Sequence, residues 1–316
     1  MTAPGVSGWF PTSPCTPACL PVPVPDDGWP RLRRRVRTTA RLIALAVVLL
    51  AGVPVALLAP LLGPALVGRV QALWCGRLLA AAGVRTVVTG PRPAPGSLVV
   101  ANHVSWLDVL ALNQVSPVRM LAKAEVRDWP LIGPMAARAG TVFLERDRLR
   151  ALPDAVAAVA GALRAGGSVG VFAEGTTRCG RDLGRFRPAA FQAALDAGAP
   201  MVPVALAYAD ADGSPDASAA FVGDDDLLSS LIRVAGAPRT LLTVRVLPGW
   251  TGALEGGDLP GAEPARRGCA RRAASAVTAA LPTPDPDARP LPAVHAPAPP
   301  ARVAETVRRS EVTRAA

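Results

Sequence analysis

A histidine and an aspartate five residues apart, His103 and Asp108 in the stretch NHVSWLD, are the residues of this chain best placed to move a proton. The chain holds two histidines, and the second, His295, sits in a Pro/Ala-rich tail. An imidazole facing a carboxylate is a general base. The carboxylate fixes the tautomer and raises ring basicity, leaving the other nitrogen to take a proton from a hydroxyl. Such help is typically worth about 10²–10⁴-fold in rate. On one regular helix the pair would not share a face, because each residue advances by ~100°. They meet only if His103 lies in a turn and Asp108 in the first helical turn. The run SLVVANHVSWLDVLALN reads that way, as strand, turn and helix. Ser105 is then the N-cap and Asp108 the third helical residue, where the helix dipole favours a carboxylate. The same residues also suit a plain capping box with His103 as a polar turn residue. Ser105 is better explained as a cap than as a covalent nucleophile.

Further candidates follow other apolar runs. Arg146 closes GTVFLER, and an arginine fork matches phosphate oxygens, although a strand-end arginine also suits a surface ion pair. Glu174 and Gly175 follow VGVF and should emerge at the same sheet edge as His103, with Glu174 binding a ligand, capping a helix or pairing with an arginine. Arg178, Arg181, Arg185 and Arg187 form a basic loop. Backbone amides near the Gly175 turn or just after His103 are candidate donors to an oxyanion.

These residues need a scaffold, and the chain writes one plainly. From Val84 to about Leu247, β-rich runs (RTVVTG, SLVVAN, VRMLAK, GTVFLER, GSVGVFAEG, MVPVALAY and TLLTVRVL) alternate with Ala/Leu-rich segments such as LPDAVAAVAGALRAG. That alternation predicts an α/β fold, a mixed β-sheet flanked by helices. Residues 84–250 form the central domain, and 251–281 a C-terminal helical extension with its helix over about 262–280. The Pro-rich leader, 1–30, and the Pro/Ala tail, 282–316, are expected to be disordered.

Between leader and domain, residues 31–83 carry the arginine cluster RLRRRVRTTAR and then an uncharged stretch from Leu42 to Gly68, longer than the roughly 20 residues that cross a bilayer. Pro54, Pro60 and Pro64 interrupt it, and basic residues flank both ends. The expectation is a membrane-associating pair of short helices, broken near Gly52-Val53-Pro54 and keeping both ends cytoplasmic, with a single span as the alternative.

The net charge is +10, and Lys123 is the only lysine among 34 basic residues. A basic surface suits anionic lipid or a phosphorylated substrate. Nucleic acid is not expected, since no zinc finger, helix-turn-helix or RNA-binding signature appears. The Ala and Arg excess is typical of a GC-rich bacterial genome. Five cysteines are dispersed; Cys15 and Cys19 lie in the leader with no second pair to complete a zinc site, so all five read as bystanders in a reducing compartment.

NHVSWLD resembles the Asn-His-x4-Asp block of the glycerolipid acyltransferases, the lysophosphatidic acid acyltransferase group. The resemblance continues in order. AKAEVRDWPLIG looks like the family's Lys-x-Glu…Pro-x-x-Gly stretch, GTVFLER its Gly-x-x-Phe-aliphatic-x-Arg block, FAEGTTR its Phe-Pro-Glu-Gly-Thr-Arg block, and MVPVAL its Val-Pro-Val strand. It covers roughly residues 98–206. It implies His103 and Asp108 as the catalytic pair, Arg146 as a phosphate contact, and Glu174, Gly175, Thr176 and Arg178 around the acceptor headgroup. The implied reaction moves an acyl chain from acyl-CoA or acyl-carrier protein to a lysolipid hydroxyl, with 1-acylglycerol-3-phosphate as the first acceptor. No metal and no bound cofactor are implied, and the expected location is the cytoplasmic face of a bacterial cell membrane, against an anionic lipid surface.

This chain departs from the pattern on the acceptor side. Ala173 replaces the usual proline, Thr177 stands where an arginine is usual, and RFRPAAF lacks the following glycine. A lyso-aminolipid such as lyso-ornithine lipid, which demands less phosphate recognition, is the alternative acceptor. A thioesterase or lipid hydrolase using the same dyad, and a silent protein that keeps only the fold, are the other readings.

Overall fold

The computed structural model describes residues 13–21, 27–58, 61–129, 132–144, 150, 152–223, 225–252 and 265–282. Seven strands form one sheet: β1 Val84–Thr89, β2 Leu98–Ala101, β3 Arg119–Lys123, β4 Val142–Leu144, β5 Val169–Phe172, β6 Met201–Ala209 and β7 Thr240–Val246. Their order across the sheet is β1-β7-β6-β2-β5-β3-β4. Each coincides with one of the seven β-rich runs. β4, β3, β5, β2 and β6 run parallel; β7 is antiparallel to β6, and β1 is parallel to β7. The sheet is therefore mixed, as expected.

β2 lies at its centre and is buried along its whole length, which explains a continuous apolar LVVA in place of alternation. Val99 and Ala101 point into one core with Leu79, Leu112, Leu206 and Leu242. Leu98 and Val100 point into the other, with Leu163, Phe191 and Met201. Helices α2 Pro64–Ala81, α3 Leu107–Val115 and α7 Leu227–Gly236 cover the first face. Helices α5 Leu152–Arg164, α6 Ala189–Ala197 and α8 Ala265–Ala280 cover the second. Cys269, Ala273 and Val277 of α8 are buried, so this helix is part of the domain core and not an extension to it. A short helix, α4 Ile132–Arg138, precedes β4. Phe191 is fully buried, and truncating it to alanine would cost about 3–5 kcal/mol.

The N-terminal region differs from expectation in two ways. Helix α1 runs unbroken from Trp29 to Leu58, through Pro54. Gly52 does not break it. The Trp74 ring of α2 sits so close that a Cβ on Gly52 would fall 2.6 Å from it, and the Trp74 indole donates to the Val48 carbonyl. The glycine serves close helix packing, and the turn comes later, with Gly63 leading into Pro64 at the head of α2. α1 is long and apolar enough to cross a membrane, with mean hydropathy 2.5 in its most apolar window.

The leader is the second correction. Residues 13–21 pack on the domain: Cys15 is buried, and Ser13 Oγ donates to the Thr177 carbonyl. A buried thiol and hydrogen bonds to residues 164 positions away outweigh the local proline-rich composition. Residues 1–12, 22–26 and 283–316 lie outside the described residues.

Candidate functional site

The site forms at the carboxyl ends of the central parallel strands, where α/β sheets place ligands. β2 and β5 pair in register, Ala101 opposite Phe172. His103 and Glu174 therefore emerge side by side, each two residues past its strand. Asn102 extends the pairing on the other flank, since its side chain donates to the Leu206 carbonyl and accepts from the Leu206 amide. The backbone of the turn is fixed before any catalytic group is considered.

His103 Nδ1 lies 3.0 Å from Asp108 Oδ2. The turn achieves this because α3 begins at Leu107, two residues beyond Ser105. The Asp108 amide donates to the Ser105 carbonyl in a tight turn, which folds the carboxylate back under the histidine. Ser105 Oγ accepts only a 3.4 Å contact from the Leu107 amide, so capping passes to Asp108. Its Oδ2 accepts from the Val104 and Ser105 amides at 2.6 and 2.8 Å. Its Oδ1 accepts from the Tyr208 hydroxyl at 2.5 Å. Asp108 is wholly buried, and four donors surround it, which is the condition for holding a charge inside a protein.

The imidazole stacks flat on Phe172, centroids 3.7 Å apart and planes 2° from parallel. With Nδ1 turned to Asp108, the ring presents Nε2, which has no hydrogen-bond partner among the described residues. The His103 side chain keeps 19% of its surface exposed, so a substrate hydroxyl can reach that nitrogen.

Tyr208 is the residue the sequence reading missed. It is the only tyrosine in the chain and closes the MVPVALAY run, a signal easily taken for core packing. Burial, reinforced by the adjacent Asp108 charge, pushes its hydroxyl well above the ordinary tyrosine range. It stays protonated and acts as a donor.

Glu174 is nearly buried, and its carboxylate faces protein groups. Oε1 accepts from the His103 amide at 2.9 Å; Oε2 accepts from the Gly184 amide at 2.7 Å and lies 3.3 Å from Arg178 Nε. Burial pushes its pKa up to about 7 against the opposing pull of those partners. It braces the His103 backbone and the 178–184 loop. Arg178 spans Glu174 and Asp182, at 2.8 Å from the latter, and its amide donates to the His103 carbonyl. Its guanidinium contacts both carboxylates.

Gly175 takes a left-handed turn, φ +75°, that a side chain would strain, and its amide donates to the Phe172 carbonyl. Thr176 follows, half-buried, in the same turn. The amides of Val104, Ser105 and Gly175 are thus all engaged within the protein. Arg146 lies outside the described residues; β4, two residues before it, ends at the same sheet edge. Arg181 and Arg185 are exposed.

Among the described residues, the one cluster with metal-ligand chemistry is Cys15, Cys19 and Cys179, beside the site and separate from the His103–Asp108 pair. The cysteines are therefore not all dispersed, because folding joins the leader to a residue 160 positions away.

The profile of the Acyltransferase family matches residues 85–207. The lyso-ornithine lipid O-acyltransferase of Pseudomonas aeruginosa is 41% identical over 181 residues, 57% of this chain and 69% of that protein. The 1-acyl-sn-glycerol-3-phosphate acyltransferase of Neisseria meningitidis is 42% identical over 159 residues, 49% of this chain and 61% of its own length. The crystal structure of the 1-acyl-sn-glycerophosphate acyltransferase PlsC from Thermotoga maritima superposes with a TM-score of 0.56 at 18% identity, covering 79% of this chain and 97% of that one.

Proposed function

The chain belongs to the acyltransferase family, and from that premise we propose that it esterifies the free hydroxyl of a lysolipid with an acyl group from a thioester donor. The observation that carries this reading is the 3.0 Å contact of His103 Nδ1 with a buried, fully satisfied Asp108, which leaves Nε2 as the base. Nε2 removes the hydroxyl proton as the acceptor oxygen attacks the thioester carbonyl. The tetrahedral intermediate then collapses, the C–S bond breaks, and the departing thiolate takes the proton back from the imidazolium. No protein nucleophile is needed. Asp108 keeps its charge and favours the imidazolium while it lasts.

The donor is acyl-CoA or acyl-carrier protein, and the leading acceptor is 1-acylglycerol-3-phosphate, giving phosphatidic acid. In this reading Arg146 binds the acceptor phosphate and Thr176 lies at the headgroup. The reaction runs on the cytoplasmic leaflet, with α1 as the anchor and its arginines drawn to anionic lipid at about 1 kcal/mol each. One observation favours a second acceptor, lyso-ornithine lipid. Thr177 replaces a usual arginine, and the neighbouring Arg178 is bound to Glu174 and Asp182, so the headgroup side has less cation to spare for a phosphate.

The deciding experiment incubates purified protein with labelled acyl-CoA and acyl-carrier protein against a panel of lysolipids. Labelled phosphatidic acid supports the first acceptor, and labelled ornithine lipid the second. Thiol release that ignores every lysolipid overturns the transferase reading in favour of a hydrolase.

A further inference from the structure

Three sulfur atoms converge at the edge of the site. The ligand atoms of Cys15, Cys19 and Cys179 all lie within 4.8 Å of one another. Sulfurs bound to one tetrahedral zinc at ~2.3 Å sit roughly 3.8 Å apart, so a small contraction brings this trio to coordination distance. Cys15 precedes and Cys19 ends a short turn, Pro17–Cys19, with three residues between the two cysteines, a spacing common among zinc ligands.

Backbone amides also point at these sulfurs. The Cys179 amide donates to Cys15 Sγ at 3.3 Å, and the Arg181 amide donates to the Cys179 sulfur. Amide-to-sulfur hydrogen bonds of this kind orient metal-bound thiolates and spread their charge. The Arg181 side chain reaches the Cys19 carbonyl, and Arg178 is adjacent in sequence, so two cations border a group that would carry net negative charge with zinc bound. Cys15 and Cys179 are buried while Cys19 is half-buried, which leaves a way in for an ion.

We propose that Cys15, Cys19 and Cys179 form a three-thiolate site for a thiophilic cation, zinc in the first instance, that clasps the N-terminal leader onto the loop supporting His103. Ligation breaks three S–H bonds, forms three S–Zn bonds and releases three protons to solvent; a water completes the shell. The consequence is mechanical. Cys179 follows Arg178, whose amide holds the His103 carbonyl, and the leader adds the Ser13 bond to Thr177. Bound metal would fix residues 13–21 over the 176–181 loop. The site stands whether or not the acceptor assignment above is right.

The test uses the full chain in detergent, reduced and stripped of metal, titrated with Co²⁺ as a spectroscopic probe and then with Zn²⁺. The expected result is uptake of one cobalt per chain with sulfur-to-cobalt charge-transfer absorbance, bleached by zinc, and a zinc-dependent rise in Tm. Cys19→Ser, the mildest of the three changes because that residue is half-buried, should weaken binding by on the order of 100-fold or more, at least the upper end of what losing an outer hydrogen bond costs. Cys75→Ser and Cys269→Ser should leave uptake unchanged. Absence of charge-transfer absorbance in reduced wild-type protein overturns the proposal. So does uptake that Cys19→Ser leaves intact, or a Cys15–Cys179 disulfide whose reduction yields no metal binding.

Discussion

The Tyr208 hydroxyl donates to Asp108 Oδ1 at 2.5 Å, from a strand a hundred residues further along the chain. This bond turns a local His–Asp pairing into a three-residue hydrogen-bonded chain, Tyr208–Asp108–His103, whose outer member is buried. Two backbone amides hold the other carboxylate oxygen, so Asp108 can rotate only by abandoning several bonds at once. The geometry that aims His103 is stored in the fold before substrate arrives.

Tyr208→Phe keeps the ring and removes the donor. The orphaned buried carboxylate oxygen should cost about 1–3 kcal/mol of stability. Because Tyr208 touches no substrate, kcat should fall while the acceptor KM holds, and by less than in His103→Ala. Thermal melts and steady-state kinetics on the same preparation check both. An unchanged kcat would reduce Tyr208 to a packing residue.

His103→Ala and Asp108→Asn should each lower turnover by about 10²–10⁴-fold. Their stabilities should separate. His103 is partly exposed, and its loss leaves the buried Asp108 carboxylate with three of its four donors, whereas asparagine at 108 points an amide donor at groups that already donate. A smaller Tm loss in His103→Ala than in Asp108→Asn is expected, measured beside product formation.

Much of this was legible from the residues alone. All seven strands could be placed because each is a short apolar run bounded by turn residues, and the His103–Asp108 pair because its geometry is set within six residues. What could not be read depends on distance along the chain or on a neighbour's shape. Tyr208 looks like core until β6 lies beside β2. Cys179 looks solitary until the leader folds back to it. Gly52 and Pro54 look like a break, but Gly52 makes room for Trp74, and a proline removes one backbone bond where a full break would expose several. The internal contacts of Glu174 were hidden for a related reason. A carboxylate at a sheet edge reads as a ligand contact until the His103 and Gly184 amides are seen to fill it.

Glu174 gives a pH prediction. Its carboxyl takes a proton at about 7 in the folded protein, against 4.5 ordinarily. The folded state therefore binds that proton more tightly than the unfolded chain. This group's stabilising contribution is full below about pH 4.5 and is lost as pH rises toward 7. The difference of about 2.5 units corresponds to roughly 3 kcal/mol for this nearly buried group. Glu174→Gln cannot titrate, so the variant's stability profile should lack that fall. Melting wild type and variant at pH 5 and pH 7.5 isolates the effect, and parallel profiles would refute it.

The last prediction concerns how the anchor meets the domain. Arg41 of α1 donates to the carbonyls of Ala235, Ala237 and Pro238, and Arg37 to that of Gly236. Ala235 and Gly236 are the last residues of α7, where carbonyls run out of helical partners and the negative end of the dipole lies, and Ala237 and Pro238 follow directly. A guanidinium there is both a hydrogen-bond cap and a counter-charge. Arg41→Ala should weaken the α1–α7 junction by about 2 kcal/mol while leaving the His103 turn untouched. Turnover of an acceptor embedded in vesicles should then fall several-fold, because the site is no longer held at a fixed attitude to the lipid. Turnover of a dispersed short-chain acceptor should stay near wild type. Assaying both acceptors with both proteins separates anchoring from chemistry, and an equal loss on the two would mean that Arg41 supports the domain itself.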